Sequence, residues 1–358
     1  MSDFQSEARR ARLEPLFASA RSLADAASER GKQARERLAA SSGLSPQGVD
    51  FALLRCLETA PDEAEIATLI RATPSAQVAH VLLSANVFVA AHRAIAIALA
   101  ASEQVRVRAS RREPEMAELL LAGAPGSFQL VDELSPRPGD RLWAYGSDQT
   151  MDEVAVTLPA GVALHAHGSG FGVAVLAGTH SDSELSALLR ALAEDIVLFD
   201  QRGCLSPRVV LLQAEPAVAG GLARELAREL AHALAELEQR VPRGQLTVQE
   251  LSEIAKYRDA AYFTGEVLEA GLGFVTVADT VHSGSWLLPP TGRNIHVLTS
   301  ANARASLDPH RPLLTSCAFA GDPGLREALR RALPGARLCR FGEMQRPPFD
   351  GPVDRREL

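Results

Sequence analysis

The chain has 358 residues, 46% hydrophobic and 23% charged, with 37 Lys and Arg against 44 Asp and Glu for a formal charge of −7. That length suits two moderate domains with a sizeable core, and the acidic balance speaks against general nucleic-acid binding. The four cysteines (Cys56, Cys204, Cys317, Cys339) are widely spaced with no CxxC pair, which speaks against a disulfide scaffold or zinc site and fits a reducing cytoplasm.

The first dozen residues mix Asp, Glu and Arg and hold no apolar signal-peptide core. Nowhere does a run of about 18 uncharged apolar residues occur, so no membrane span is expected. Residues 1–75 read as helices: Leu13, Phe17, Leu23 and Leu38 recur among charges, Gly43 breaks the pattern, and Ser45-Pro46 reopens it as N-cap and first helical residue.

From residue 76 the reading is strand 76–83, loop 84–86, apolar helix 88–101, strand 105–108, helix 113–121, strand 141–145 and helix 148–158. Short strands at 162–165 and 173–176 flank a Gly-rich turn. Strand alternating with helix predicts an α/β domain with a parallel sheet, whose ligand edge is the carboxyl end of the strands. Asn86, Ser110 and Ser147 each fall just after a strand, on that edge.

Two strand-like apolar runs, 196–199 and 209–212, flank the stretch Asp200-Gln201-Arg202-Gly203-Cys204-Leu205-Ser206-Pro207. Beyond them come a strand at 209–213 and an amphipathic helix at 221–239, with Leu222, Leu226, Leu230, Leu234 and Leu237 on one face. A helix at 247–262, strands at 273–278, 295–298 and 314–319, and a helix at 322–333 follow. The tail from Gln345 to Pro352 reads as an irregular arm. The domain change is placed near Cys204.

Cys204 is the leading candidate for chemistry. It sits in turn residues between apolar runs, where a thiolate can meet a substrate and nearby Arg202 can favour the ionised form. The competing reading is a small buried hydrophobe, which suits Cys56, Cys317 and Cys339 better. Asn86, at a strand end, can donate to a developing oxyanion or merely close an Asx turn. Arg108, Ser110, Arg111 and Arg112 at a strand-to-helix junction suit a phosphate group, or a solvated basic turn. Gly168, Gly170 and Gly172 permit close approach of a ligand to backbone, or a plain tight turn. His165 and His167 point one way on a regular strand and could serve as acid or base; with no third ligand placed, a metal site is not expected.

Taken in order, these segments resemble the acyl-CoA reductase family, which includes the subunit that makes aldehyde for bacterial luciferase and lies within the aldehyde dehydrogenase superfamily. The matching stretches are Gly43 to Val49, Ser84 to Val87, Arg108 to Pro114, Ala144 to Asp148, His167 to Gly172, Asp200 to Pro207 and Met344 to Pro348. The resemblance runs over nearly the whole chain, and its most specific pieces are the cysteine loop and the Met-Gln-Arg-Pro-Pro tail.

The resemblance implies an aldehyde dehydrogenase-like α/β fold: a helical region (1–75), a Rossmann-type cofactor domain (76–200), a catalytic domain (201–335) and a C-terminal arm (336–358). Cys204 matches the nucleophile and Asn86 the oxyanion amide. Arg108 and Ser110 match a segment at the adenosine end of the nicotinamide cofactor, Gly146 and Ser147 a pair near its phosphates, and Gly168, Gly170 and Gly172 the turn near the nicotinamide. Arg108 and Ala109 replace the family's Lys-Pro, Phe88 a common proline and Gly170 a common serine.

The implied reaction is NADPH-dependent reduction of an acyl thioester (on coenzyme A or a protein) to an aldehyde through an acyl-cysteine, with NADH as the other donor. An oligomer and an acyl-activating partner enzyme also follow from the resemblance. The alternatives are a cysteine acyltransferase or thioesterase without hydride transfer, and a non-catalytic scaffold in an acyl-transfer complex.

Overall fold

The computed structural model describes residues 3–278 and 286–356. It divides into two compact units, one of residues 3–169 with 348–353, the other of residues 170–347 with 354–356.

The first unit opens with four helices, α1 (Asp3–Ala24), α2 (Glu29–Ser41), α3 (Pro46–Cys56) and α4 (Glu63–Ala72). Caps from Ser28, Ser45 and Asp62 start the last three, and Asp62 with Glu65 forms a capping box. Then strands and helices alternate: β1 (Ala79–Leu82), α5 (Ala90–Ala101), β2 (Val105–Arg108), α6 (Glu115–Gly123), β3 (Gln129–Leu130), β4 (Arg141–Tyr145), α7 (Asp148–Thr157) and β5 (Ala163–His167). The sheet order is β3-β2-β1-β4-β5, with every neighbouring pair parallel. Helix α5 is apolar apart from His92 and Arg93 and is buried at every position but Ala90, as a central helix must be.

The second unit holds β6 (Phe171–Ala177), α8 (Asp182–Val197), β7 (Pro207–Gln213), α9 (Pro216–Arg240), α10 (Val248–Tyr262), β8 (Gly265–Ala270), β9 (Gly273–Ala278), β10 (Asn294–Ser300), α11 (Ala303–Leu307), β11 (Leu314–Ala320), α12 (Pro323–Ala332) and β12 (Arg337–Cys339). Its seven-stranded sheet runs β12-β11-β6-β7-β10-β9-β8, parallel except where edge strand β8 pairs antiparallel with β9. Val173, Val175, Val209, Leu211 and Cys317 are fully buried on these central strands. Leu226, Leu230, Leu234 and Leu237 of α9 are buried as expected, while Leu222 stands 44% exposed.

Two expectations change. Residues 196–199 are not a strand: Ile196 and Val197 end α8, and Phe199 begins a left-handed turn. A short apolar run cannot by itself distinguish a strand from a helix end. The units divide between Ser169 and Gly170, upstream of Cys204, because β6 and α8 pack with β7 and its sheet. Residues 345–352 hold no helix or strand, as expected, while Arg337–Cys339, upstream of them, pairs with β11. No helix among the described residues is long and apolar enough to cross a membrane.

Candidate active site

Cys204 lies in the turn between the end of α8 and β7, and it is half-buried. Cys56, Cys317 and Cys339 sit on α3, β11 and β12. Nearly every residue of the turn is fastened. The Thr315 hydroxyl donates to the Cys204 carbonyl, and Ser316 Oγ donates to the Leu205 carbonyl at 2.9 Å. The Ser206 carbonyl accepts from Gly172 N–H at 2.8 Å, and Ser206 Oγ accepts from Gln345 Nε2 at 3.0 Å. Gln345 is delivered by Asp195, whose carboxyl oxygens accept from the N–H groups of Gly342 (2.6 Å) and Met344 (3.1 Å). The tail thus serves as a brace behind the cysteine turn.

Burial pushes the Cys204 thiol up to about 11, and the Asp354 carboxylate adds to the rise. The Arg356 guanidinium and the backbone N–H groups of Cys204 and Leu205 oppose it. At neutral pH the resting group is therefore a thiol, so its proton must leave as it attacks. Arg202 is not the cation that helps. Its Nε donates to Glu250 Oε1 at 3.0 Å and its Nη2 to the Gln245 carbonyl at 2.7 Å. Thr315, Asp354 and Arg356 were not legible as neighbours of Cys204, because only tertiary packing brings them there.

In the first unit, the carboxyl ends of β1, β2 and β4 carry the other candidates together. Asn86 follows β1 and is exposed. Arg108 ends β2, half-buried, and Ser110 Oγ accepts from Arg112 N–H at 3.3 Å. Gly146 follows β4, and Ser147 caps α7 by accepting from Thr150 N–H at 3.2 Å. The strand order reverses at β1, between β2 and β4, which is where a doubly wound sheet opens a crevice for a dinucleotide. The remaining free N–H groups of the first turn of α7 suit a phosphate there. Asp148, in that turn, is turned aside to accept from Ser169 N–H at 2.7 Å. These residues fit a nicotinamide dinucleotide.

The glycine turn is tighter than a ligand-facing loop requires. A Cβ on Gly168 would lie 2.4 Å from Asp148 Oδ1, and one on Gly170 2.5 Å from Thr315 Cγ2. On Gly172 it would meet Met344 Cε at 2.4 Å and the Leu205 carbonyl at 2.5 Å. Protein atoms already fill the space that these glycines leave, so Gly172 is a packing glycine of the cysteine turn, not an open approach for a ligand. His165 and His167 stack on Trp143 and Tyr145, with centroids 4.9 and 4.6 Å apart. Burial and Arg141 hold His165 below its ordinary value.

A doubly wound parallel sheet, and a second sheet, parallel but for β8, that carries a fastened cysteine turn, make an aldehyde dehydrogenase-like fold. Solved structures share the fold. An NAD-dependent benzaldehyde dehydrogenase from Corynebacterium glutamicum is 14% identical, with TM-score 0.67 over 94% of this chain and 82% of that one. A methylmalonate-semialdehyde dehydrogenase from Oceanimonas doudoroffii is 14% identical, with TM-score 0.68 over 95% and 79%. An NAD-dependent aldehyde dehydrogenase from Sinorhizobium meliloti is 16% identical, with TM-score 0.67 over 93% and 74%. The sequence matches none of the curated proteins.

The family description Acyl-CoA reductase (LuxC) matches residues 124–355. The chain belongs to that family, and it is an aldehyde-forming oxidoreductase.

Proposed function

We propose that the chain reduces an acyl thioester to an aldehyde with NADPH, using Cys204 as the covalent nucleophile. The observation that carries this reading is the fastening of the Cys204 turn, which holds this half-buried thiol in a fixed position between α8 and β7, whereas Cys56, Cys317 and Cys339 lie within a helix or strands. Cys204 Sγ attacks the thioester carbonyl, forms the acyl-cysteine and expels the carrier thiol. The N–H groups of Cys204 and Leu205 face Sγ and so lie at the reacting centre, where charge grows on the acyl oxygen. Asn86 is assigned the second donor by its resemblance to the family's amide. Losing one such donor costs about 2.7–4 kcal/mol, or roughly 100- to 1,000-fold in rate.

Arg108, Ser110, Gly146 and Ser147 would hold the cofactor. When bound, a nicotinamide cofactor supplies the hydride that reduces the acyl group. The preference for NADPH rests on the end of β2, where Arg108, Arg111 and Arg112 gather positive charge that suits a 2′-phosphate. Glu113, the nearest carboxyl in sequence, is buried and accepts from Met116 N–H at 3.1 Å. It is not presented as the acid that would bind a ribose 2′-hydroxyl.

The test is NADPH oxidation over a series of acyl-CoA chain lengths, with the aldehyde trapped and identified. Cys204→Ala should abolish aldehyde and acyl labelling together. Aldehyde formation by that variant would end the nucleophile assignment.

A further inference from the structure

Among the described residues, four that are not glycine have a positive φ: Phe199 (56°), Asp200 (48°), Gln201 (67°) and Arg293 (69°). Phe199 opens the turn, and Asp200, Gln201 and Arg293 are each held by a dense set of hydrogen bonds in the second unit. Asp200 Oδ1 accepts from Arg293 Nε at 2.9 Å and lies 2.8 Å from its Nη2. Asp200 Oδ2 accepts from Gly244 N–H at 2.9 Å, and the Asp200 carbonyl accepts from Gly292 N–H at 3.0 Å. Arg293 Nη1 donates to Glu238 Oε2 at 2.6 Å and to the Val241 carbonyl at 2.7 Å. Gln201 Nε2 donates to the carbonyls of Pro207 and Asn294, both at 2.7 Å, and its Oε1 accepts from Asn294 N–H at 2.8 Å.

Three left-handed residues in succession amount to a turn of left-handed helix, which L-residues keep only where the surroundings over-determine it. The Asp200–Arg293 pair is 1% and 2% exposed, so it also carries a desolvation cost that apolar packing would not. Strain and buried charge are concentrated immediately before Cys204. The turn ends α8 and feeds the chain into Arg202–Pro207, and the Gln201 amide ties both ends of that stretch to the start of β10.

We infer that Asp200, Gln201 and Arg293 are positioning residues, a clamp that holds the left-handed turn so that Cys204 is aimed at the acyl carbon. The inference rests on Cys204 as the nucleophile.

The experiment follows Cys204 acylation by acyl-CoA, without cofactor, by mass in single turnovers, alongside steady-state reduction in the full chain. Gln201→Glu is nearly isosteric but sets a second oxygen against the Pro207 and Asn294 carbonyls. Gln201→Gly relaxes the φ of 67° and deletes the clamp. Both should acylate at least tenfold more slowly and lose kcat in proportion, with KM changed less than threefold and a cooperative melt retained. If the residue served the backbone conformation alone, Gln201→Gly would match the parent, and that result overturns the inference; so does parental acylation by folded Gln201→Glu. Should either variant lose its fold, Arg293→Lys, which keeps the charge and loses the fork, decides by the same two readings. Persistent acylation in Cys204→Ala would instead sink the nucleophile reading and leave the clamp without its object.

Discussion

Arg356 closes a fork on Asp354, Nε to Oδ1 at 2.9 Å and Nη2 to Oδ2 at 2.6 Å, with both side chains no more than 5% exposed and both within electrostatic reach of the Cys204 thiol. The two charges act on the thiol in opposite senses. Asp354→Asn removes the charge that adds to the rise, so the midpoint for Cys204 alkylation should fall below about 11 and labelling at pH 8 should quicken several-fold. Arg356→Gln should do the reverse. Iodoacetamide labelling against pH, read by mass at Cys204, checks both; shifts of the same sign would defeat the prediction. Arg356→Gln also strands a buried carboxylate and should cost stability, of the order of 3–5 kcal/mol.

Gly172→Ala places a methyl 2.5 Å from the Leu205 carbonyl and 2.6 Å from Ser316 Oγ. Those atoms belong to the fastening of the cysteine turn, and one is backbone, so the turn must shift. A cost of about 1–3 kcal/mol is expected, as for an overpacked core. Acylation of Cys204 should fall more than tenfold. Gly220→Ala, on α9, meets nothing closer than 3.7 Å and is the control. Equal stability and equal acylation in the two variants would show that the close packing of Gly172 is unimportant.

Ser147→Ala removes the cap of α7, a ten-residue helix, and should cost about 1 kcal/mol. If the α7 N-terminus holds a cofactor phosphate, the same change raises the Kd for NADPH several-fold and leaves cofactor-free acylation of Cys204 untouched. Fluorescence titration and the single-turnover assay separate the two effects. An unchanged Kd would remove Ser147 from the cofactor site.

Strands β2, β4 and β9 were legible to the residue, because each is a short β-favouring run bounded by turn residues. The α/β alternation of the first unit, and with it the edge that gathers Asn86, Ser110 and Ser147, followed from those strands. Helix α8 was missed although Ser181 and Glu184 form a capping box at its start and Leu189, Leu192 and Ile196 are buried at helical spacing. Its apolar end and exit, Ile196-Val197-Leu198-Phe199, mimic a strand, and nothing local announces three left-handed residues without a glycine. The second unit's electrostatics were equally hidden. Arg202 is adjacent to the cysteine in sequence yet pairs with Glu250, while Arg356 reaches the thiol's surroundings from the far end of the chain.

Glu58 anchors the C-terminal segment of the first unit. Its Oε1 accepts from Arg93 Nε at 3.1 Å, and Arg93 Nη1 donates to the carbonyls of Pro348 (2.6 Å) and Gly351 (3.0 Å) with its guanidinium 4.8 Å above Phe349. Burial alone would raise the Glu58 carboxyl, but Arg93 and His92 overcome it and hold the group down at about 2 against an ordinary 4.5. A carboxyl depressed in the folded state contributes stability that is fully present above its unfolded value and lost as pH falls through its folded one. The contribution, roughly 3 kcal/mol, should therefore be intact above about pH 5 and vanish towards pH 2. Glu58→Gln discards it at every pH. The difference in unfolding free energy between the parent and this variant, from urea melts, should be flat from pH 5 to 7 and shrink steadily below pH 4.5. A difference that stays constant down to pH 2 would mean that Glu58 is not held ionised by Arg93, and the anchoring of residues 348–353 would then need another source.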